Sequence, residues 1–124
     1  MKYDTIEGLD KHLSLLILGN DNQTEYDSAA KIWDHWIKVG GNTFDNAFFY
    51  GDGVQEQLLG QWHNKRNNRK EIIIIAKGAH TPHCNPKSLS EQLTISLERL
   101  QIECADIYIM HRDNLDCPVN EFMD

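Results

Sequence analysis

The chain has 124 residues, of which 25% are charged and 40% hydrophobic, and its formal net charge is −7. That length suits one domain with one core, and the acidic balance argues against a nucleic-acid partner, which wants a basic footprint. The longest apolar runs, residues 13–18 and 72–76, are too short to cross a bilayer, and residues 1–7 carry no charged-then-apolar leader. With Cys84, Cys104 and Cys117 lacking framework spacing, free thiols in a reducing cytoplasm are expected.

Residues 13–18 form an apolar run ending at Gly19, which predicts a first strand. Residues 25–39 place Ala29, Ala30, Trp33, Trp36 and Ile37 at helical spacing, and Gly40-Gly41 stops the helix. A brief strand follows over 42–45. Gly51, Asp52 and Gly53 mark a turn, after which Val54, Leu58, Leu59 and Trp62 give a second helix its apolar face. The basic residues His63, Lys65, Arg66, Arg69 and Lys70 read as a complement to that helix's dipole and a solvated loop, rather than as a phosphate site. Residues 71–76 are an uninterrupted β-branched stretch, as in a strand covered on both faces. Asn85-Pro86 opens a third helix over Leu89, Leu93, Ile95, Leu97 and Leu100. Residues 105–110 are the last strand, and Pro118 begins a further helical turn with Val119, Phe122 and Met123 on one side.

The order β-α-β-α-β-α-β predicts an α/β fold with parallel strands and right-handed crossovers. Four strands cannot close a barrel, and a full (β/α)8 barrel takes about 250 residues. Residues 1–124 are therefore expected to be the N-terminal half of a TIM-type barrel, with strands one to four and the start of the fourth helix. Such a half leaves open sheet edges through which the chain could self-associate.

Four polar residues stand at the ends of the apolar strand patterns: Asp45 after 42–44, Tyr50 in the loop beyond it, Lys77 after 72–76 and His111 after 106–110. In parallel α/β barrels chemistry gathers at the carboxyl ends of the strands. An acid, a phenol, an amine and an imidazole brought together there suit proton-coupled carbonyl chemistry.

The stretch from Phe44 to Gly60, with Asp45, Tyr50-Gly51, Glu56 and Leu59-Gly60, resembles the signature of the aldo-keto reductases. Ile75-Ala-Lys77 is similar to the family's lysine-bearing third strand, and Tyr108-Ile-Met-His111 to its histidine-bearing fourth. The resemblance implies an NADP(H)-dependent oxidoreductase (NADPH, or NADH) that reduces an aldehyde or ketone, its partner being a small-molecule carbonyl compound. It implies Tyr50 as general acid, Lys77 as the charge that eases proton donation, Asp45 as the group holding Lys77, and a neutral His111 orienting the carbonyl oxygen. An ammonium beside a phenol favours the phenolate and so promotes donation. Gly19, Asn20, Asp45 and Tyr50 would border the nicotinamide. Asn46 stands where the family more often has Thr. The family's main cofactor contacts come from later strands that this chain lacks.

His80, His83 and Cys84 invite a zinc reading with His63 as a further ligand, but their spacing fits a rim loop better, and no metal is expected. In a complete barrel that loop, with Arg112, Asp113 and Asn114, would line the substrate pocket. Trp33 and Trp36 read as core or partner contacts on an outer helix. The alternative function is a truncated, non-catalytic relative serving as an interaction module or a degenerate fragment.

Overall fold

The computed structural model describes residues 1–123, so the domain boundary expected at Asp124 lies outside the described residues. In chain order the elements are β1 (Tyr3–Asp4), β2 (Leu13–Ser14), β3 (Leu18–Gly19), α1 (Tyr26–Lys38), β4 (Thr43–Asp45), α2 (Val54–Arg66), β5 (Ile73–Gly78), α3 (Pro86–Leu100) and β6 (Ile107–Met110). Strands β3, β4, β5 and β6 pair in parallel in sequence order. The α/β half-barrel expectation is met, with each helix crossing between neighbouring strands. No helix among the described residues is long and apolar enough to cross a membrane.

Strand pleat decides which side chains meet helices and which meet the inner face. Phe44, Ile74 and Ala76 turn outward into a core with Ala29, Ala30 and Trp33 of α1, Leu59 and Trp62 of α2, and Leu100 of α3. The Trp62 ring sits 5.5 Å from both Trp33 and Phe44, tilted in each case, an arrangement that aromatic quadrupoles favour. Both indole N–H groups are satisfied: Trp33 donates to Asn20 Oδ1 at 2.8 Å and Trp62 to Asp34 Oδ1 at 2.9 Å. The alternate positions Asp45, Ile75 and Ile107 stand side by side on the other face, as do Lys77 and Ile109.

The run at 13–18 is not one strand. Residues 13–14 pair antiparallel with the amino-terminal Tyr3–Asp4, and only Leu18–Gly19 joins the parallel sheet. Ser14 is the reason. Its backbone N–H donates to Asn42 Oδ1 at 2.8 Å, and its hydroxyl donates to Leu16 O at 2.7 Å, folding the chain into a turn where apolar patterning alone predicts continuity. The hairpin then covers the amino ends of the strands. Lys11 reaches Ile72 O at 2.7 Å and Asp106 at 2.6 Å, and Asp106 also accepts from Ile74 N–H and pairs with Arg69.

The basic cluster does stand at the carboxyl end of α2, with His63, Lys65 and Arg66 in its last turn and Lys70 exposed in the loop beyond, and three of its members also make specific contacts. Arg66 forms a two-point contact with Asp34, His63 is buried against Leu100 O at 2.8 Å, and Lys65 lies over the Tyr26 ring. Trp36 packs beside the core and lies flat on Gly41. The turn expected at 51–53 is a short 3-10 helix, Tyr50–Gly53, with left-handed backbone at Gly51, Asp52 and Gly53. Asn85 caps α3 by accepting from Ser88 N–H, with Pro86 in the first turn.

Helices α2 and α3 touch at Gly60, where a Cβ would come within 2.6 Å of Arg99 O and 2.8 Å of Leu100. Those are backbone atoms with no easy retreat. Gly60→Ala is expected to destabilise the fold by about 1–3 kcal/mol, read as a lower urea midpoint at unchanged slope. Gly19→Ala, where a Cβ meets nothing within 4 Å, should leave that midpoint nearly unchanged.

Candidate active site

The carboxyl ends of β4, β5 and β6 bring Asp45, Lys77 and His111 to one rim, and the loop after β4 returns Tyr50 to the same place. The loop is held by the sheet: Asn46 N–H donates to Ile75 O and Phe48 N–H to Lys77 O, each at 2.9 Å. Tyr50 N–H then donates to Ala47 O, closing the turn that sets the phenol inward.

Lys77 is the centre. Its Nζ donates to Asp45 Oδ2 at 2.7 Å and to Tyr50 OH at 2.6 Å, with side chains 12% exposed for Lys77 and 27% for Asp45. Burial pushes the ammonium's pKa down, but hydrogen bonds and charge from Asp45 and Tyr50 outweigh it and hold the group above its ordinary value. Lys77 is therefore cationic throughout the neutral range.

His111 follows β6, its N–H donating to Gly78 O at 2.6 Å. Its ring meets Tyr50 edge-on at 5.6 Å. Burial lowers its pKa first, and the charges of Lys77, His80 and Arg112 lower it further against the opposing pull of Asp45. The imidazole is thus neutral near pH 7. Among the described residues its Nδ1 is buried without a hydrogen-bond partner.

The other phenol on this strand system is unsuited to proton transfer. Tyr108 OH donates to Leu89 O at 2.7 Å, and burial pushes its pKa up to about 12. Among the described residues the Tyr50 hydroxyl meets Lys77 and no backbone acceptor.

Among the expected cofactor neighbours, Gly19 lies in register with Asp45 and is exposed, with open space where a side chain would be. Asn20 donates its backbone N–H to Asp45 O at 3.1 Å, but its side chain is fully buried and bonds Trp33. The structure therefore brings Gly19, Asp45 and Tyr50 to the rim and turns the Asn20 amide towards α1. Gly19 thereby leaves open space beside Asp45 at that rim, with room for a flat group.

The loop after β5 joins the site differently from a metal loop. The His80 ring stacks on Phe49 at 4.4 Å and meets His111 edge-on at 4.8 Å. Cys84 Sγ donates to Ala79 O at 2.8 Å, and His63 is at the opposite end of the strands. Among the described residues no group of three or more His, Cys, Asp or Glu is placed to hold a metal ion. Asn114 ties the loop after β6 to Cys84 O at 2.8 Å. Sequence reading missed Phe49 as a wall of the site and Arg99 as a support for the Tyr50 loop. Neither has a strand-end position to mark it, and the contact between α3 and that loop depends on helix packing.

A cavity of about 450 Å³ at the amino end of the strands, lined among others by Lys11, His63, Arg69 and Asp106, is not a rival site. Asp106 there already serves two cations and an amide.

Protonated His111 is disfavoured in the fold, so its contribution to stability is present above the ordinary value of 6.5 and is lost as pH falls through the depressed value. NMR titration of the His111 ring should give a midpoint below 6.5, and Lys77→Met should move that midpoint upward by removing a neighbouring cation.

A family model for the aldo/keto reductase family matches residues 16–124. Aldo-keto reductase yakc [NADP(+)] of Schizosaccharomyces pombe is 30% identical, the match covering 72% of this chain and 29% of that protein. Norsolorinic acid reductase B of Dothistroma septosporum is 30% identical, over 78% of this chain and 28% of its own length. In three dimensions the chain is similar to the holo form of aldo-keto reductase AKR11C1 from Bacillus halodurans, with a TM-score of 0.83 and 29% identity, covering 98% of this chain and 44% of that one. The chain thus spans under a third of the length of these curated relatives. The family signature, the parallel half-barrel and these likenesses agree, and the chain belongs to the aldo/keto reductase family.

Proposed function

We propose that this chain carries the proton-handling machinery of an NADP(H)-dependent carbonyl reductase, with Tyr50 as the general acid. The observation that supports it best is a single ammonium, Lys77, held 2.6 Å from a phenol oxygen and 2.7 Å from a carboxylate. The relatives' names point to NADP(+) and, for one of them, to norsolorinic acid.

When bound, the reduced nicotinamide supplies the hydride that reaches the carbonyl carbon. Tyr50 gives its phenol proton to the carbonyl oxygen, completing the alcohol. The phenolate left behind is stabilised by the ammonium already hydrogen-bonded to it, a donor that needs no reorganisation at the moment of transfer. Asp45 keeps Lys77 charged and aims it. Neutral His111 offers Nε2–H to the carbonyl oxygen, polarising it and fixing its angle beside Tyr50. Gly19 leaves room for the nicotinamide next to Asp45. His80 and Phe49 wall the site on the side of the β5 loop. The free thiols of Cys84, Cys104 and Cys117 support a reducing, cytoplasmic setting.

The test is NADPH oxidation by the purified chain with a reactive aromatic aldehyde. Tyr50→Phe should lower turnover by about 10²–10⁴-fold while circular dichroism stays unchanged. Turnover retained in Tyr50→Phe would remove the phenol from the mechanism.

A second reading, an interaction module, is favoured by the large aliphatic side chains Leu15, Leu16, Ile17 and Ile109, which are exposed beside the edge strands β3 and β6. Those edges invite pairing with another set of strands, including a second copy of the chain. Light scattering should then report a mass above the 14.3 kDa of one chain, and a monodisperse monomer would contradict it.

A further inference from the structure

The loop that bears Tyr50 is fastened from two sides. The sheet holds it through the Phe48 N–H bond to Lys77 O at 2.9 Å. The helices hold it through Arg99, in the last turn of α3, whose Nη1 donates to Phe48 O at 3.1 Å and to Glu56 Oε2 at 3.2 Å. The guanidinium also lies over the Phe48 ring, 4.6 Å from its centroid. Gly53 completes the seat: a Cβ there would come within 2.3 Å of the guanidinium carbon, and its φ of +92° suits glycine in any case. Phe48 is thus gripped between the backbone of Lys77 and the side chain of Arg99, two residues before the phenol.

The ion pair itself is an expensive way to stabilise a helix contact. Glu56 is completely buried and the Arg99 side chain is 20% exposed. Burial pushes the Glu56 carboxyl up, and the Ser96 hydroxyl and then Arg99 offset only part of that rise. Buried pairs of this kind are often matched or bettered by apolar residues of the same volume. What an apolar pair lacks is direction: the planar guanidinium spends a hydrogen bond on one carbonyl while its flat face covers one ring.

We propose that Arg99, oriented by Glu56, is a positioning residue for Tyr50, holding the loop through the Phe48 carbonyl so that the phenol rests on Lys77. Its functional meaning rests on the reading of Tyr50 as the acid. Arg99 touches none of the reacting groups and acts wholly through Phe48.

The test uses the full chain and two NMR readouts that involve no turnover. One is the cross-relaxation contact between the Tyr50 and His111 rings. The other is amide hydrogen exchange at Phe48, referenced to Ile74, whose N–H bonds Asp106 in the sheet. In Arg99→Met the ring contact should disappear and Phe48 exchange should rise about tenfold or more, because the Phe48 N–H bond to Lys77 O opens more often once the charged hydrogen bond to the Phe48 carbonyl is gone. Ile74 exchange should barely change. Arg99→Lys should restore the ring contact and part of the protection, and Glu56→Gln should loosen the loop less than Arg99→Met. An intact ring contact in folded Arg99→Met would overturn the proposal, as would Phe48 and Ile74 exchange rising together. If Arg99→Met does not fold, Arg99→Lys decides, with loss confined to residues 46–50 expected and uniform or absent loss overturning it. Because aldehyde reduction by the Tyr50→Phe pair is scored separately, the positioning role and the acid role can each fail alone.

Discussion

One ammonium shared by a carboxylate and a phenol is the constraint around which the carboxyl-end rim is arranged. Lys77 has three donors, of which one meets Asp45 and another Tyr50. For both contacts to exist, β4 and β5 must run parallel with Asp45 opposite Ile75, which puts Lys77 one pleat further along the same face. The loop from 46 to 50 must also double back over β5, and its backbone hydrogen bonds to Ile75 O and Lys77 O accomplish that. The outward alternation of Phe44, Ile74 and Ala76 into the tryptophan core is the same register seen from the other side. A one-residue slip of β5 would bury the lysine against Trp62 and expose isoleucine at the rim.

The two ends of the sheet use similar devices for opposite purposes. At the amino end a single carboxylate, Asp106, sits between Lys11 and Arg69 and takes an amide as well. Both of its oxygens are engaged, and the result is a closed seam between hairpin and sheet. At the carboxyl end a single cation sits between Asp45 and Tyr50, and capacity remains. Lys77 keeps a third donor, and the Tyr50 hydroxyl and the His111 ring lie beside it. Satisfied polar groups make structure, whereas groups left with one bond to give make a site.

Most of this was legible because polar residues close the strand patterns: Lys77 and His111 each follow a largely apolar run, and Asp45 closes the short strand after Thr43-Phe44. The helices at 26–38, 54–66 and 86–100 declare themselves by periodicity and by Asn85-Pro86, Gly40-Gly41 and Gly53 at their ends. The failures have physical causes. Ser14 lies inside an apolar run, and its turn-forming hydroxyl could not be told from a strand serine without Asn42 and Leu16 beside it. The basic residues at the carboxyl end of α2 were legible by position, but their contacts were not, because Asp34 and Leu100, distant in sequence, determine what Arg66 and His63 touch. Asn20 borders the site by backbone alone because Trp33 claims its side chain. His80 and Phe49 meet only because two loops cross above the sheet.

The most direct measurement is an NMR titration of the Lys77 side chain in the native chain and in Asp45→Asn. With its folded value raised, the charged lysine favours folding below its ordinary value of 10.5, and that contribution is lost as pH rises through the folded value. The account predicts that Lys77 titrates above 10.5 in the native chain and falls in Asp45→Asn, where burial is less opposed. A native Lys77 titrating at or below 10.5, unmoved by Asp45→Asn, would contradict the shared-ammonium arrangement and the acid role built on it.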